Sequence, residues 1–173
     1  MIINRVWAMP NKWTFQIPPI AELLSRYIGD GKDWLDPFSG NSKLTEHTND
    51  INPKTKAQMH LDAVEYLKSK GDCSVAGVLF DPPYSPRQVA ECYKNNGYQV
   101  NLMTTQSSFW AKLKREIARI VRPDGFVISC AWNSCGIGKK LGFYIVEILL
   151  VSHGGWHNDT IVTVERKIKT RLL

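Results

Sequence analysis

The sequence lacks the features that would place a chain in or across a membrane. No apolar run approaches the roughly 18 residues that a transmembrane helix needs. Residues 1–5 do not combine a basic region with a following apolar stretch, which is the pattern of a secretory signal peptide. We therefore expect a protein that does not associate with membranes and is located in the cytoplasm.

Cysteine is also scarce, and its spacing argues against the common uses of paired cysteines. The four cysteines show no Cys-x-x-Cys spacing, so neither a zinc site nor a disulfide framework is indicated. His153 and His157 are four residues apart, but Gly154 and Gly155 between them disfavour the helix that would bring both rings to one face. No metal site is predicted.

Acidic residues are fewer than basic ones. The 173 residues include 16 Asp and Glu against 22 Lys and Arg, a formal net charge of +6. This balance favours a polyanionic partner such as a nucleic acid, although composition alone does not identify one. The length suits one domain, which we assign to residues 1–173.

The most informative stretch present is an apolar, β-branched run, Val75–Phe80, followed at once by Asp81, Pro82, Pro83 and Tyr84. A run of this length closed by prolines predicts a buried parallel strand, because proline cannot continue the hydrogen-bond ladder. Asp81 then lies at the carboxyl end of a strand. In open α/β sheets this is the edge where ligands bind.

Residues 81–84 suit chemistry on an amino group attached to a flat ring. The exocyclic amine of adenine or cytosine is a poor nucleophile because its lone pair is conjugated with the ring, and two hydrogen-bond acceptors would rotate that lone pair out of conjugation. The Asp81 carboxylate and the Pro82 carbonyl can be those acceptors, and the carboxylate also stabilises positive charge developing on nitrogen. Tyr84 would stack on the base. A plain strand followed by a proline turn is the alternative interpretation.

These four residues resemble the Asp-Pro-Pro-Tyr motif of S-adenosylmethionine-dependent amino methyltransferases, chiefly the N6-adenine DNA methyltransferases. The resemblance covers about residues 15–167 and implies S-adenosylmethionine as cofactor and a catalytic role for Asp81, Pro82, Pro83 and Tyr84. It also implies an α/β fold: a Rossmann-like class I methyltransferase sheet, mostly parallel with a late antiparallel hairpin, and helices on both faces. The size resembles a small phage-like form, because no stretch can supply a separate target-recognition domain.

A second stretch, Asp-Pro-Phe-Ser-Gly-Asn-Ser at residues 36–42, resembles the cofactor loop of the same family, Asp-Pro-Phe-x-Gly-x-Gly. A glycine here lets the backbone approach the cofactor closely. Ser42 departs from the pattern, where the family has its last glycine. The resemblance implies cofactor binding by five residues of the loop: Asp36, Pro37, Phe38, Gly40 and Ser42.

Four further residues complete the implied cofactor site. Asp50, ten residues beyond Gly40, is predicted to hold the ribose, and capping of its own loop is the alternative. Asp62 is predicted to be the N-cap of a helix and, with Ala63, to meet the adenine of the cofactor, whereas capping alone is the plainer interpretation. Phe15 is predicted to lie near the cofactor, with core packing as the alternative.

Hydrophobic periodicity predicts the remaining elements. Apolar spacing predicts helices over residues 20–28, 62–68, 86–95 and 109–121. Alternating or β-branched runs predict strands over residues 58–61, 126–132, 143–152 and 160–166, the last two joined as a hairpin. Residues 1–19 are predicted to form an ordered loop or edge segment, 98–106 a mobile loop over the site, and 122–125 a turn.

The first crossover of the sheet is predicted to be unusually short. A parallel connection needs roughly a dozen residues, and only ten separate Gly40 from Asp50. Either the crossover helix is reduced to about one turn near residues 42–47, or the second strand is very short.

Two residues are candidates for nucleic-acid contact. Arg87, just past Tyr84, is predicted to reach a phosphate, with a solvated surface arginine as the alternative. Trp156, in the loop of the predicted hairpin, is predicted to touch nucleic acid.

Three functions remain open at this point. The first is a DNA adenine-N6 methyltransferase, and the second an RNA amino methyltransferase, since closely similar motifs occur in enzymes acting on ribosomal RNA. The third is a non-catalytic nucleic-acid-binding subunit of the same fold, against which the intact Asp81 and Tyr84 argue. We favour DNA over RNA as the partner. A protein partner or a homo-oligomer would help to select the target.

Overall fold

The computed structural model describes residues 1–100, 107–134 and 136–169. Its strands are β1 (Ile2–Trp7), β2 (Trp34–Asp36), β3 (His47–Thr48), β4 (Val75–Phe80), β5 (Val121–Ala131), β6 (Phe143–Ser152) and β7 (Thr160–Lys167). Its helices are α1 (Pro18–Ile28), α2 (Ala63–Lys68), α3 (Pro86–Asn95) and α4 (Ser107–Ile120). Short 3-10 turns lie at Thr14–Gln16 and Lys139–Leu141.

The strands form one seven-stranded sheet in the order β1-β6-β7-β5-β4-β2-β3. β3, β2, β4 and β5 are mutually parallel, and β1 is parallel to β6. β7 lies antiparallel between β5 and β6, because the loop over residues 153–159 is too short for a crossover. The predicted mostly parallel sheet with a late antiparallel hairpin is confirmed.

Helices cover both faces of the sheet. One face packs on α2, α3 and α4, where Tyr66, Val89 and Leu113 are almost wholly buried. The other packs on α1 through a second cluster that includes Ile20, Leu23 and Leu24. Because side chains alternate along a strand, β4 serves both faces, with Phe80 in the first cluster and Leu79 in the second.

The four predicted helices agree with the structure to within two residues at each end. Local caps explain part of this agreement. The Asp62 carboxylate accepts hydrogen bonds from the backbone N–H groups of Val64 (2.9 Å) and Glu65 (3.3 Å), which begins α2. Ser85 caps α3 in the same way. Within the described ranges, no helix combines the length and apolar character needed to span a membrane.

The strand predicted over residues 58–61 is wrong. Met59 makes only an isolated bridge with Asn49. Side chains take backbone partners that a ladder would need: Asn49 Oδ1 accepts from Leu61 N (3.0 Å), and Gln58 Oε1 accepts from Thr48 N (3.2 Å). Backbone pairing is therefore limited to the two hydrogen bonds of Met59, and side-chain hydrogen bonds take the place of a longer ladder.

The turn predicted over residues 122–125 is also wrong, because these residues lie inside β5. Val121 pairs with Val75 and Phe126 pairs with Gly77, so the intervening residues of β5 form a bulge opposite β4. Asp124 has a φ of 64°, a turn-like conformation within the strand. The turn signal marks this bulge and not the start of the strand.

Three predicted connections remain to be compared with the structure: the first crossover, residues 1–19 and the loop over residues 98–106. Every residue between Pro37 and Asp62 is described and none is helical, so the crossover leads to a two-residue strand, as the second alternative predicts. Residues 1–19 supply β1, an edge strand. Of the loop predicted over residues 98–106, residues 101–106 lie outside the described residues.

Candidate active site

Two carboxylates follow adjacent parallel strands at the same edge of the sheet. Asp36 is the last residue of β2, and Asp81 immediately follows β4, which pairs with β2. The 3-10 turn at Thr14–Gln16 approaches this edge from the amino-terminal segment, and Thr14 lines a cavity together with Asp81. The site therefore lies where ligands bind in open α/β sheets.

A groove runs along this edge and consists of two adjoining cavities. The first, of about 570 Å³, lies between Asp81, the 3-10 turn and the loop after β2. The second, of about 740 Å³, extends to Asp50 and shares Trp13, Gly40 and Asn41 with the first. These volumes are typical of small-molecule sites. The groove is lined by five of the predicted cofactor residues: Phe15, Phe38, Gly40, Ser42 and Asp50.

Gly40 stands where the two cavities meet. Its φ is +54°, a conformation that favours glycine, and a Cβ added to it would meet no atom within 4 Å. Its backbone N–H donates to the Asp50 carboxylate (2.9 Å). A side chain at this position would therefore project into the groove.

Asp36 has one carboxylate oxygen without a partner. The residue is 1% exposed, and its Oδ1 accepts from Phe38 N (2.9 Å), whereas Oδ2 has no hydrogen-bond partner. Burial raises the pKa of Asp36 well above its usual range, the Phe38 N–H opposes that shift, and the charges of Asp81 and Asp50 add to it. A buried unsatisfied oxygen of this kind fits an amino donor from a bound ligand.

Asp50 and Asp62 are both occupied by bonds within the protein. The Asp50 carboxylate accepts from Gly40 N (2.9 Å) and Asn52 N (2.8 Å), so it caps its own loop while it lines the groove. Asp62 caps α2 with one oxygen and accepts from the Tyr93 hydroxyl with the other. The structure thus shows the plainer capping role of both residues.

Four predicted cofactor residues do not line the groove cavities: Asp36, Pro37, Asp62 and Ala63. Pro37 is buried, and its carbonyl accepts from the Asn49 side chain (3.2 Å). Asp62 and Ala63 lie at the start of α2, and Ala63 is part of the core. Their contact with a cofactor stays a prediction.

Asp81 is held by side-chain hydroxyl groups. The Tyr84 hydroxyl donates to its carboxylate, and Thr14 makes a second side-chain hydrogen bond to it. Burial raises the pKa of Asp81 to about 6, although both hydrogen bonds favour the ionised form. Burial also raises the pKa of Tyr84, which keeps its hydroxyl protonated as the donor. Pro82 is buried beside this pair, and Pro83 is half-buried.

Two further cavities lie beside Tyr84, and one of them shares Thr14 with the groove. A cavity of about 380 Å³, here called the helix-side cavity, lies next to Trp110 of α4. A cavity of about 340 Å³, the hairpin-side cavity, reaches Trp156 in the β6–β7 loop. Tyr84 and Trp132 line both cavities, and their rings meet edge to face with centroids 5.5 Å apart. This side of the motif presents aromatic surface suited to a planar ring.

The two predicted nucleic-acid contacts have different surroundings. The Arg87 side chain is 88% exposed, and its Nε donates to Glu91 one turn along α3 (2.8 Å). Arg87 lines none of the four cavities described above. Trp156 is fully exposed and lines the hairpin-side cavity. Phosphate contact by Arg87 stays a prediction. In the structure the side chain is a solvated surface arginine, as the alternative interpretation describes.

His153 has a structural environment. It is buried, its Nδ1 lies 2.9 Å from the Ala8 carbonyl oxygen, and its Nε2 lies 2.9 Å from the Thr160 hydroxyl. His157 is exposed. Across residues 1–100, 107–134 and 136–169, no three His, Cys, Asp or Glu side chains are grouped to hold a metal ion.

Three residues at the site were missed by the sequence analysis. Thr14 contacts Asp81 from far away in the chain, and no motif marks it. Trp13 lines both cavities of the groove. Trp132 directly follows β5, and its place at the carboxyl end of a predicted strand is a signal that could have identified it.

No model of a known protein family matches the sequence, and no curated protein matches it. Solved structures match it by fold. TrmN from Thermus thermophilus has a TM-score of 0.55 at 18% identity, over 88% of this chain and 49% of that one. The chain thus spans about half the length of TrmN. NodS, an N-methyltransferase from Bradyrhizobium japonicum WM9, has a TM-score of 0.55 at 9% identity, over 86% of this chain and 94% of that one.

A third similar structure holds ligands. It is the 1,6-didemethyltoxoflavin-N1-methyltransferase from Burkholderia thailandensis, with bound 1,6-didemethyltoxoflavin and S-adenosylhomocysteine. Its TM-score is 0.56 at 14% identity, over 87% of this chain and 77% of that one. These similarities show that the chain has the Rossmann-like fold of methyltransferases.

Proposed function

We propose that residues 1–173 form a catalytic domain that transfers a methyl group from S-adenosylmethionine to the exocyclic amino group of a nucleobase, with adenine N6 in DNA as the preferred target. The arrangement around Asp81 carries this proposal. Asp81 lines the groove, while Tyr84 of the same motif lines two neighbouring aromatic cavities. A cofactor and a planar ring can therefore meet at one carboxylate.

The residues of the groove fit S-adenosylmethionine. The unpaired Asp36 Oδ2 fits its amino group, and Asp50, whose oxygens retain free lone pairs, fits a ribose hydroxyl. Phe15 and Phe38 would pack against it, and Gly40 leaves room for its passage. When bound, the cofactor supplies a methyl group on a positively charged sulfur. Pro37, Ser42, Asp62 and Ala63 complete the proposed binding set.

Asp81 and Pro82 would prepare the target amine. Each accepts one N–H, which withdraws the nitrogen lone pair from the ring and directs it towards the methyl group. The nitrogen would gain the methyl carbon as the methyl–sulfur bond of the cofactor breaks and leaves a neutral thioether. The proton that the nitrogen loses would pass to the Asp81 carboxylate, whose pKa burial raises to about 6. Tyr84 would hold the base by stacking. Arg87 and Trp156 are the proposed nucleic-acid contacts.

Tritium transfer tests the proposal. Labelled S-adenosylmethionine would be incubated with the protein and, in parallel, with duplex DNA, single-stranded DNA and RNA. We expect label in DNA, recovered as N6-methyladenine after digestion. Label in RNA alone would mean that RNA, and not DNA, is the substrate. No label in any of the three reactions, with calorimetric binding of the cofactor intact, would favour the non-catalytic alternative. Failure to bind either the cofactor or its demethylated product would contradict the enzyme assignment.

A further inference from the structure

Three basic residues at the edge away from the site are ion-paired: Arg122 with Asp33 (3.6 Å), Arg166 with Asp124 (3.3 Å) and Lys169 with Asp124 (3.7 Å). At the site, Lys12, Lys43 and Lys54 line the groove, and none forms an ion pair with a described residue. Three lysines outside these ion pairs therefore lie beside the groove, together with the carboxylates of Asp81 and Asp50.

The same edge exposes aromatic rings. Trp156 is fully exposed, and Trp13 and Trp132 are 45% and 44% exposed. Trp132 and Trp156 line the hairpin-side cavity together with Tyr84. Large aromatic side chains that remain in water at one place mark an interaction surface. Unneutralised lysines beside exposed tryptophans are the combination that single-stranded nucleic acid requires.

The loop that carries Trp156 presents the ring to solvent. Gly154 and Gly155 precede it, with φ values of +69° and +60°, a conformation that side chains other than glycine rarely adopt. At the base of the loop, Asp159 accepts from the Ser152 hydroxyl (3.2 Å) and from His153 N (3.3 Å). A tight turn therefore projects Trp156 beside the cavity that Tyr84 lines.

We infer that the nucleic acid recognised here is an unpaired strand, and that Trp156 stacks on a base adjacent to the one received by Tyr84. This inference rests on the proposed function for the role of Tyr84. The strand follows the groove edge, where Lys12, Lys43 and Lys54 contact its phosphates.

The surface suits an unpaired strand better than a duplex. A duplex must first release its target base by unstacking and unpairing, a cost that an unpaired strand avoids. Proteins that bind duplexes gain affinity from many phosphate contacts, but the groove offers three unpaired lysines. Exposed tryptophan supplies affinity of another kind, because every unpaired base has a face that can stack on it.

Binding is measured first, without methyl transfer. The full chain with S-adenosylhomocysteine is titrated into fluorescein-labelled oligonucleotides of one sequence, as single-stranded DNA, single-stranded RNA and duplex DNA, and anisotropy is recorded. We expect one or both single strands to bind at least about tenfold more tightly than the duplex. Comparison of the affinities for single-stranded DNA and single-stranded RNA shows which of the two nucleic acids the protein binds.

Variants then test the named contacts. Trp156→Ala should weaken single-strand binding about tenfold or more, and Trp156→Phe should weaken it less. Tyr144→Ala, at an exposed ring near the opposite edge, is the matched control and should change nothing. On single strands, each of Lys12→Ala, Lys43→Ala and Lys54→Ala should reduce the slope of log affinity against log salt by about 0.7.

The outcomes separate this inference from the proposed function. Preferred single-strand binding that depends on Trp156 supports the inference even if no methyl group is transferred. Equal or tighter duplex binding, or full single-strand affinity in Trp156→Ala, would overturn it while leaving methyl transfer to duplex DNA possible. Sedimentation of the same variants shows whether Trp156 instead joins two copies of the chain, and a Trp156-dependent dimer with unchanged oligonucleotide affinity would also overturn it.

Discussion

Asp36 and Asp81 follow neighbouring parallel strands, yet the protein holds their carboxylates differently. Asp36 is fully buried, receives one backbone N–H and keeps one oxygen without a partner. Asp81 is half-buried and is held by the side-chain hydroxyls of Tyr84 and Thr14. A backbone donor fixes a carboxylate in one orientation, whereas side-chain hydroxyls can rotate away. Asp36 is thus suited to constant binding and Asp81 to exchanging partners during a reaction.

The largest expected effect comes from removing the exchangeable carboxylate. Asp81→Ala deletes one acceptor for the target amine, so turnover should fall by about a hundredfold or more. Calorimetric affinity for the cofactor should remain within a fewfold, because the Asp36 side of the groove is unchanged. Asp81→Asn keeps an acceptor oxygen but loses the charge, and we expect it to be intermediate. Unaltered turnover in Asp81→Ala would show that residues 81–84 are only a structural turn.

The corresponding change at Asp36 should affect binding and not chemistry. Asp36→Asn keeps the oxygen that accepts from Phe38 N but places an amide NH2 where Oδ2 would accept from the cationic amino group of the cofactor. Hydrogen bonds to charged groups contribute about 1.5–3 kcal/mol, so the cofactor Kd should rise by roughly ten- to hundredfold. Turnover at saturating cofactor should change little. An unchanged Kd would remove Asp36 from the binding set.

Gly40→Val tests the groove at the point where its two cavities meet. The new side chain would enter open space where the two cavities meet, and cofactor affinity should fall by about tenfold. Gly142→Val is the matched control, because Gly142 also has a positive φ (+84°) and open space but lies outside the groove cavities. Both variants should lose similar stability in thermal unfolding. Equal loss of cofactor affinity in both would show a general folding defect.

The sequence predicts the parts of this molecule that depend on neighbours along the chain. Helices agree within two residues because apolar spacing and caps such as Asp62 and Ser85 are local signals. The error at residues 58–61 has the opposite cause, since the Asn49 side chain captures the backbone of Leu61 from a distant position. Local propensity does not reveal such a contact.

The residues of the candidate site also differ in whether local sequence signals or distant contacts determine their position. Asp36, Gly40 and Asp81 are predictable because they follow apolar strands and stand in recognisable motifs. Thr14 is not, because its contact with Asp81 arises only when the amino-terminal segment folds over the edge of the sheet. Motifs therefore predict the candidate reacting groups, while tertiary structure determines which side chains surround them.

The smallest expected effect concerns the protonation of Asp81. In the proposed reaction the target amine needs an ionised acceptor, and burial raises the pKa of Asp81 to about 6, so kcat/KM should fall as the pH drops through about 6. Hydrogen bonds from Thr14 and Tyr84 lower this pKa. Removing either donor disfavours the ionised form and should move the acid limb of the pH profile upward.

Thr14→Val provides the cleanest measurement, because valine keeps the shape of threonine and loses its hydroxyl. One hydrogen bond contributes about 0.5–1.5 kcal/mol, and a change of one pH unit corresponds to about 1.4 kcal/mol, so the limb should move by roughly 0.5 to 1 pH unit. Thr14→Ser, which retains the hydroxyl, should restore the wild-type profile. Asp81→Asn, which has no ionisable group there, should lose the limb altogether. A Thr14→Val profile that drops at every pH without shifting would mean that Thr14 only packs against Asp81.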